Sequence, residues 1–494
     1  MKVYLAGYNI DSAVIENLKK KSPLTNDITP ETLSAAYARI SRDQRSVDKL
    51  REIARVQVEK ARRSNRNIIF KMGHHSVAEH AVFNFDIIGV SRLVIEEIEK
   101  FRLCSFTEKS QRYITLGNDF IIPDEVKRSG KQRLFMDTIK AQNDFYNKLY
   151  KKLKSYFFEE HKDLAKKPRK YHILDGWAKE DARYIVSLAT LGQLGMTINA
   201  RNLEYLIRRF ASKRLSEIKE LNQKMYDLAK EISPSIILFT DATDFDSKTY
   251  DEIKQKSLPY LDFSTEQKKE VELVAFTPDA DSTLAASILH TSSFLPYREC
   301  IERVKKMKPK EKEEYMKEAF KHMEFYDSTL REFEYIDLTF NLIVSAACFA
   351  QLKRHRMATI TVQDYDPELD VTVPPSIEKI GARKEFTEII DKTNDAYSTL
   401  KENRGIGAEY VLTNSHRRRV LMKVNARELY HISRLREDPS AQWDIRTVVG
   451  KMTNLAKEAM PLTFLLIGGK NIYPKIYKEI FCRLPKFSLP EMQK

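Results

Sequence analysis

The sequence predicts an α+β protein made of two repeated domains, each a mixed sheet flanked by long helices. Three observations predict this. At 494 residues the chain is longer than one ordinary hydrophobic core organises. Short alternating apolar stretches are interleaved with long amphipathic ones, the periods of strand and helix. Four sequence blocks occur twice, in the same order.

The repeat justifies the elements. LAGY (5–8) echoes VAFT (274–277), each after a short alternating strand start. EKFRLCSFTEKSQRY (99–113) lies opposite KRHRMATITVQDYDP (353–367), an offset of 254. FIIPDE (120–125) pairs with VTVPPS (371–376), an offset of 251. ARYIVSLATLGQLGMTINARNLEYLIRRF (182–210) pairs with AEYVLTNSHRRRVLMKVNARELYHISRLR (408–436), an offset of 226. Loop-length changes account for the drift, and collinear order points to duplication. The first repeat is placed at 1–245, a linker at 246–268 and the second repeat at 269–494. Strands are expected at 2–7 and 81–88, helices at 90–102, 128–155 and 200–230. The second copy repeats these at 271–276, 335–343, 344–356 and 426–458. The stretch 128–170, rich in lysine and aromatics, has no partner of equal length and is predicted to be a helical insertion.

Composition narrows the class. Apolar residues make up 42% and charged residues 31%, ordinary values for a soluble globular chain. No apolar run approaches the roughly 20 residues that span a bilayer, so no membrane partner is expected. The opening MKVYLAGYNIDSAV has neither the basic start nor the long apolar core of a signal peptide. Cys104, Cys300, Cys348 and Cys482 are widely spaced, as in a reducing cytoplasm. The net charge of +14 favours anionic ligands, but Lys and Arg are mixed with Glu along helices, as in KKMKPKEKEEYMKEAFK. No zinc-finger spacing or aromatic RNA-binding pattern is present, so nucleic acid is not the expected partner. HHSVAEH misses the spacing of the helical zinc motifs, and no metal is expected.

Arg354-His355-Arg356 ends an apolar run, LTFNLIVSAACFAQL. Adjacent cations there are either a solvated helix end or an anion site. Their companions are GHHSVAEHAVFNFDIIGVSR, Glu-x-Ser-x-Arg-Tyr at 108–113, two Asn-Ala-Arg triplets and AQWDIR. Together these blocks resemble the flavin-dependent thymidylate synthases, over most of both halves.

The resemblance is split between the copies. The first half has Lys100-Phe101-Arg102 in place of Arg-His-Arg but keeps Glu108, Ser110, Gln111, Arg112 and Tyr113. The second keeps Gln351, Arg354, His355 and Arg356 but has Val362, Asp364 and Asp366 where Glu, Ser and Arg belong. Arg183 faces Glu409 in the alignment, and Arg436 faces Phe210. A duplicated chain could keep one composite site while its mirror decays. Carboxylates repel phosphate, so the mirror site is expected to bind no nucleotide.

The resemblance implies methylation of dUMP to dTMP, with methylenetetrahydrofolate as carbon donor and FAD, reduced by NADPH, as hydride source. It assigns dUMP to Gln351, Arg354, Glu108, Ser110, Gln111, Arg112, Arg183 and Arg436, with catalysis at Arg436 and Ser110. It assigns FAD to His74, Ser76, Glu108, Arg354, His355, Arg356, Asn425, Arg427 and His431. Arginine forks suit phosphate, and a guanidinium at the pyrimidine would stabilise charge as N3 loses its proton. Two repeats per chain imply a homodimer in place of the family tetramer. The alternatives are a catalytically inactive relative that still binds flavin or nucleotide, and a basic RNA-binding protein on the same fold. HRRR (416–419) is read as a surface patch or a contact for folate or another anion, and Trp443 and Ile445 as packing residues.

Overall fold

The structure is a computed structural model that describes residues 1–12, 14–15, 29–39, 43–71, 73–112, 116–117, 119–261, 269–402 and 405–486. The chain divides into two compact units. The first comprises Met1–Thr265 and Ile380–Leu412, the second Glu266–Lys379 and Thr413–Lys494.

The first unit holds strands β1 (Lys2–Tyr8), β2 (Val82–Ser91), β3 (Cys104–Glu108) and β4 (Leu191–Asn199), in the order β1-β2-β4-β3. The second holds β5 (Val271–Phe276), β6 (Asp337–Ser345), β7 (Thr359–Val362) and β8 (Arg417–Asn425), in the order β5-β6-β8-β7. The two topologies are the same. Every pairing is antiparallel, which corrects the expected mixed sheet. β2 and β3 both run against β4, which lies between them, so no parallel neighbours arise.

Alternation explains the strands. Phe83, Phe85 and Ile87 are buried while Asn84 and Asp86 face out. On β8 the inward set is Arg418, Val420, Met422 and Val424. Helices cover each inner face. Leu203, Leu206, Ile207 and Phe210 join the first core with Ile218, Leu221 and Met225. Leu429, Ile432, Val448, Val449 and Met452 do the same in the second.

Seven helices position the site: α1 (Arg92–Ile98), α2 (Gln132–Glu160), α3 (Tyr171–Ala182), α4 (Ala200–Ala211), α5 (Ala346–Leu352), α6 (Arg383–Lys401) and α7 (Ala426–Arg436). The long helices expected at 200–230 and 426–458 are each two, continued by Ser216–Ile232 and Trp443–Ala459. Pro439 sits in the second break and disfavours helix before it.

The expected insertion at 128–170 needs correcting. α2 starts at Gln132 and α6 at Arg383, the same offset of 251 that relates FIIPDE to VTVPPS. α6 is therefore the repeat partner of α2, with 19 residues against 29. The surplus of the first repeat is the end of α2 and the turns leading into α3. Both α2 and α6 belong to the first unit, where they pack antiparallel. Lys131 bonds Glu402 at 2.9 Å, and Lys148 bonds Glu385. Between them Gln142 Nε2 donates to Thr393 Oγ1 at 2.9 Å and to the Val411 carbonyl at 2.9 Å. Gln142 and Thr393 are themselves repeat partners. The segment is further tied in by Leu188 N–H to Leu412 O at 2.8 Å and Ala189 N–H to Tyr410 O at 3.0 Å. The expected linker begins with short helices, Asp244–Ser247 and Thr249–Ser257, and 262–268 lies outside the described residues. Among the described residues no helix is long and apolar enough to cross a membrane.

Candidate functional site

In the second unit, Ser345 caps α5 by accepting from Cys348 N–H at 2.9 Å and donates to Asp444 at 2.6 Å. The cap fixes where α5 begins, and the turn after its last residue, Leu352, places His355 in the interior, where it is 4% exposed. Arg436, in the last turn of α7, donates from Nε to His355 Nε2 at 2.9 Å and from Nη2 to the Gln351 carbonyl at 3.2 Å. Gln351 Nε2 meets buried Gln442 Oε1 at 3.2 Å, and the His431 ring stands edge-on to His355 at 6.2 Å. Burial, aided by Arg436 and His431, lowers the His355 pKa well below its usual range. The ring is neutral at pH 7 and works as an acceptor. Gln351, His355, His431 and Arg436 are thus brought together. Arg354 is half-buried beside them and Arg356 is exposed. A cavity of about 240 Å³ adjoins them, lined by Thr329, Arg427, His431, Arg434 and Lys470 among others.

The same backbone in the first unit holds different chemistry. Phe101 stands in for His355, Phe210 for Arg436 and Tyr205 for His431. Phe101 packs edge-on against Phe210 at 5.6 Å and Tyr205 at 5.8 Å. Glu97, in the place of Gln351, is clasped by Lys100 and by Lys213 at 2.9 Å. Burial pushes this carboxyl up, but the two ammonium groups outweigh it and hold it at about 2. These residues line a cavity of about 420 Å³ with Arg102 and Arg209 at its edge.

The first unit has its own cationic centre. Arg183 follows α3 and is 6% exposed; Arg92 opens α1 and is 3% exposed. Arg112 reaches them from the loop after β3 and bonds Glu180 Oε2 through Nε. Burial lowers the basicity of Arg183, and the like charges of Arg112 and Arg92 lower it further, against the pull of Tyr184 and Glu180. Other buried carboxylates, Glu96 and Asp181, lie on the same helices. Three guanidinium groups gathered this way suit a tetrahedral dianion. Sequence reasoning missed Arg92. Its signal was an arginine directly after the Ser91 cap of a buried helix. Its repeat partner is Ala346, as those of Arg112 and Arg183 are Asp366 and Glu409. In the second copy Asp366 faces Arg419 at 3.4 Å, and Glu409 pairs with Lys401.

The other expected residues are less gathered. Ser110 Oγ accepts from Arg112 N–H at 3.2 Å, which shapes the loop. Gln111 is half-buried in that loop, and Tyr113 lies outside the described residues. Glu108 ends β3 beside Asp86 and Gln193. His74 and Ser76 are exposed at the start of the short helix His75–His80. Asn425 and Arg427 have work that both copies share. Asn199 and Asn425 cap α4 and α7, accepting at 3.0 and 2.8 Å. Arg201 bonds Glu79 at 2.5 Å, as Arg427 bonds Glu334 at 2.9 Å. HRRR is not a surface patch. His416 is wholly buried, and Arg418 stacks 4.1 Å from the Tyr365 ring and donates to Gln363 O at 2.8 Å. Alternation in β8 turned Arg418 inward and left Arg417 and Arg419 on the other face.

Comparison with known proteins bears on both units. The family model described as thymidylate synthase complementing protein matches residues 24–235 and 272–462. UPF0159 protein Ta1429 of Thermoplasma acidophilum is 24% identical over 438 residues, covering 80% of this chain and 86% of its own length. A flavin-dependent thymidylate synthase of Geobacter sulfurreducens is 30% identical over 218 residues, 43% of this chain and 82% of that protein. The crystal structure of thymidylate synthase X from Helicobacter pylori with FAD and dUMP is 16% identical, with a TM-score of 0.30, over 48% of this chain and 99% of that one.

Proposed function

We propose a function from one premise: the chain belongs to the thymidylate synthase complementing protein family. It is a flavin-dependent thymidylate synthase that converts dUMP to dTMP in the cytoplasm, with methylenetetrahydrofolate as carbon donor and NADPH as reductant. One composite site draws on both repeats, within one chain or across the two chains of a homodimer. The observation that carries this is complementary loss. The first copy keeps the arginine centre and has lost the His–Arg network; the second keeps the network and has lost the arginines. Unselected drift would erode both without regard to which partner survives.

In this reading Arg92, Arg112 and Arg183 bind the dUMP phosphate, helped by Ser110 and Gln111. Gln351, Arg354 and Glu108 hold the sugar and base, and Arg436 faces the pyrimidine. A guanidinium there stabilises the negative charge left when N3 loses its proton, which makes the ring carbon more nucleophilic. His355, neutral and buried, takes one Arg436 N–H and so aims the other donors. The second unit's residues fit FAD: a basic cavity beside an acceptor imidazole suits a pyrophosphate and a planar ring. Arg354, His355, Arg356 and His431 would hold it, with His74, Ser76 and Glu108, while Asn425 and Arg427 keep the wall in place. FAD when bound supplies the hydride.

Flavin absorbance of the purified protein and a dUMP titration, counted per chain, test the reading, followed by the synthase assay. One dUMP per chain, lost in Arg183→Ala and in Arg436→Ala, is the expected result. Flavin and dUMP binding without turnover would favour the second reading, an inactive binding relative. The full-length relative named only UPF0159 is the observation behind that reading. Neither ligand at millimolar concentration overturns both.

A further inference from the structure

Glu428 has no part in the scheme above, and the geometry around it is specific. Its N–H completes the Asn425 cap at 2.8 Å, which fixes the backbone. Its carboxylate then reaches inward, to 3.8 Å between Oε1 and His355 Nδ1, with side chains 12% and 3% exposed. The far edge of that imidazole accepts from Arg436 Nε at 2.9 Å. A guanidinium only donates, so His355 Nε2 must present a lone pair. A neutral ring with its lone pair on Nε2 carries its proton on Nδ1, the edge that faces Glu428. A shift of about 1 Å brings that pair into hydrogen-bond range.

The duplication supplies an internal control. In the first copy His355, Arg436 and Glu428 are replaced by Phe101, Phe210 and Asn202. The residues around them that serve the fold are unchanged: Asn425, Ala426 and Leu429 match Asn199, Ala200 and Leu203. Were Glu428 needed only for the helix, its loss would not have to accompany that of the His–Arg pair.

We propose that Glu428 is a positioning residue: it holds His355 in the Nδ1–H form and, through His355, aims the Arg436 guanidinium. The tautomer follows from the geometry alone; what Arg436 is aimed at rests on the function proposed above. The charges around the carboxyl are Arg427 and Arg436 on its own helix, with Arg434 and Lys470 near His431 and Glu334 on Arg427. Burial raises the carboxyl to about 7, with Arg427 opposing. Once protonated, Glu428 can donate to Nδ1 and move the ring proton to Nε2, which evicts Arg436. The alignment is therefore present above about pH 7 and lost as pH falls.

Nitrogen-15 NMR of the full chain, labelled at histidine and read at pH 6 and 8, tests this, with the His355 signal assigned by its loss in His355→Phe. The expected result is an Nε2 lone-pair signature at pH 8 that weakens toward pH 6. In Glu428→Gln, which cannot ionise, that pH dependence disappears. Glu428→Asn, the first copy's residue, weakens dUMP binding about tenfold at pH 8, with a circular dichroism spectrum like that of the parent. An Nε2–H signature in the parent at pH 8, or an unaltered titration in Glu428→Gln, overturns the proposal. Absence of dUMP binding by the parent would count against the proposed function only, because the NMR result is read without ligand.

Discussion

Helices α4 and α7 begin alike, with an asparagine cap, an arginine–glutamate tie and a place on equivalent sheets, and differ at their C-terminal ends. One ends in Phe101, Tyr205 and Phe210 packed edge to edge, the other in His355, His431 and Arg436 joined by polar contacts. The backbone tolerates either set. What the fold requires is therefore the cap and the buried leucines, and the His–Arg network is a choice made for another reason. The arginine centre gives the same lesson in reverse, with Arg92, Arg112 and Arg183 against Ala346, Asp366 and Glu409.

The contrast can be broken in several ways. The largest effect is expected at the arginine centre. Arg183→Ala should weaken dUMP binding by about 100-fold, since it removes charge-assisted bonds to phosphate. Its repeat counterpart Glu409→Ala should change binding less than about twofold. Calorimetric titration of both variants decides, and equal losses would mean that the copies share the work.

Exchange of the helix ends comes next. Phe210→Arg places a guanidinium against Phe101 without the imidazole that accepts from Arg436, and should cost about 2 kcal/mol in urea unfolding. Restoring the pair with Phe101→His should recover part of that cost. A neutral outcome for the single variant would show that the aromatic cluster is not packed as described.

Acid and base should act on the two ends in opposite senses. Glu97 sits at about 2 in the folded chain against 4.5 in the unfolded one, so its stabilisation is complete above pH 4.5 and is lost as pH falls toward 2. Lys213→Met should flatten that acid limb. Glu428 is raised from 4.5 to about 7, so the folded form is favoured below pH 4.5 and loses that advantage as pH rises through 7. Glu428→Gln should flatten the fall in stability between about pH 4.5 and 7 and leave the limb below 4.5 unchanged. Melting temperatures across pH 3 to 9 would show either trend or its absence. The smallest effect is expected at the helix pair. Gln142→Ala leaves the Val411 carbonyl and Thr393 hydroxyl without that donor, at about 1–2 kcal/mol.

Much of this was legible in the sequence. Collinear blocks pointed to two like halves, which two family matches and two sheets of the same strand order accompany, and Arg354-His355-Arg356 with Glu-x-Ser-x-Arg gave the family resemblance. What escaped was burial. Arg92 reads like any surface arginine until Ser91 is seen to cap a buried helix. HRRR reads as a charged patch until strand alternation puts Arg418 on Tyr365. Glu428 looks like a routine first-turn acid, and only its distance to His355 distinguishes it. The α6 helix was hidden because its partner α2 is ten residues longer, so the shared start is masked by the surplus.

The placement of Ile380–Leu412 in the first unit has a consequence for how such a gene can be broken. The obvious seam is the junction between the repeats. A break there would leave an amino-terminal product without α6, with Gln142 and the apolar face around Phe145 and Ile139 laid open. The carboxy-terminal product would carry α6 without α2, the long helix it packs against, and would keep only the short turn Ala408–Val411 beside it. Re-separation of the two copies is thereby penalised from both sides. Once the copies had become unlike, neither could easily return to an independent life.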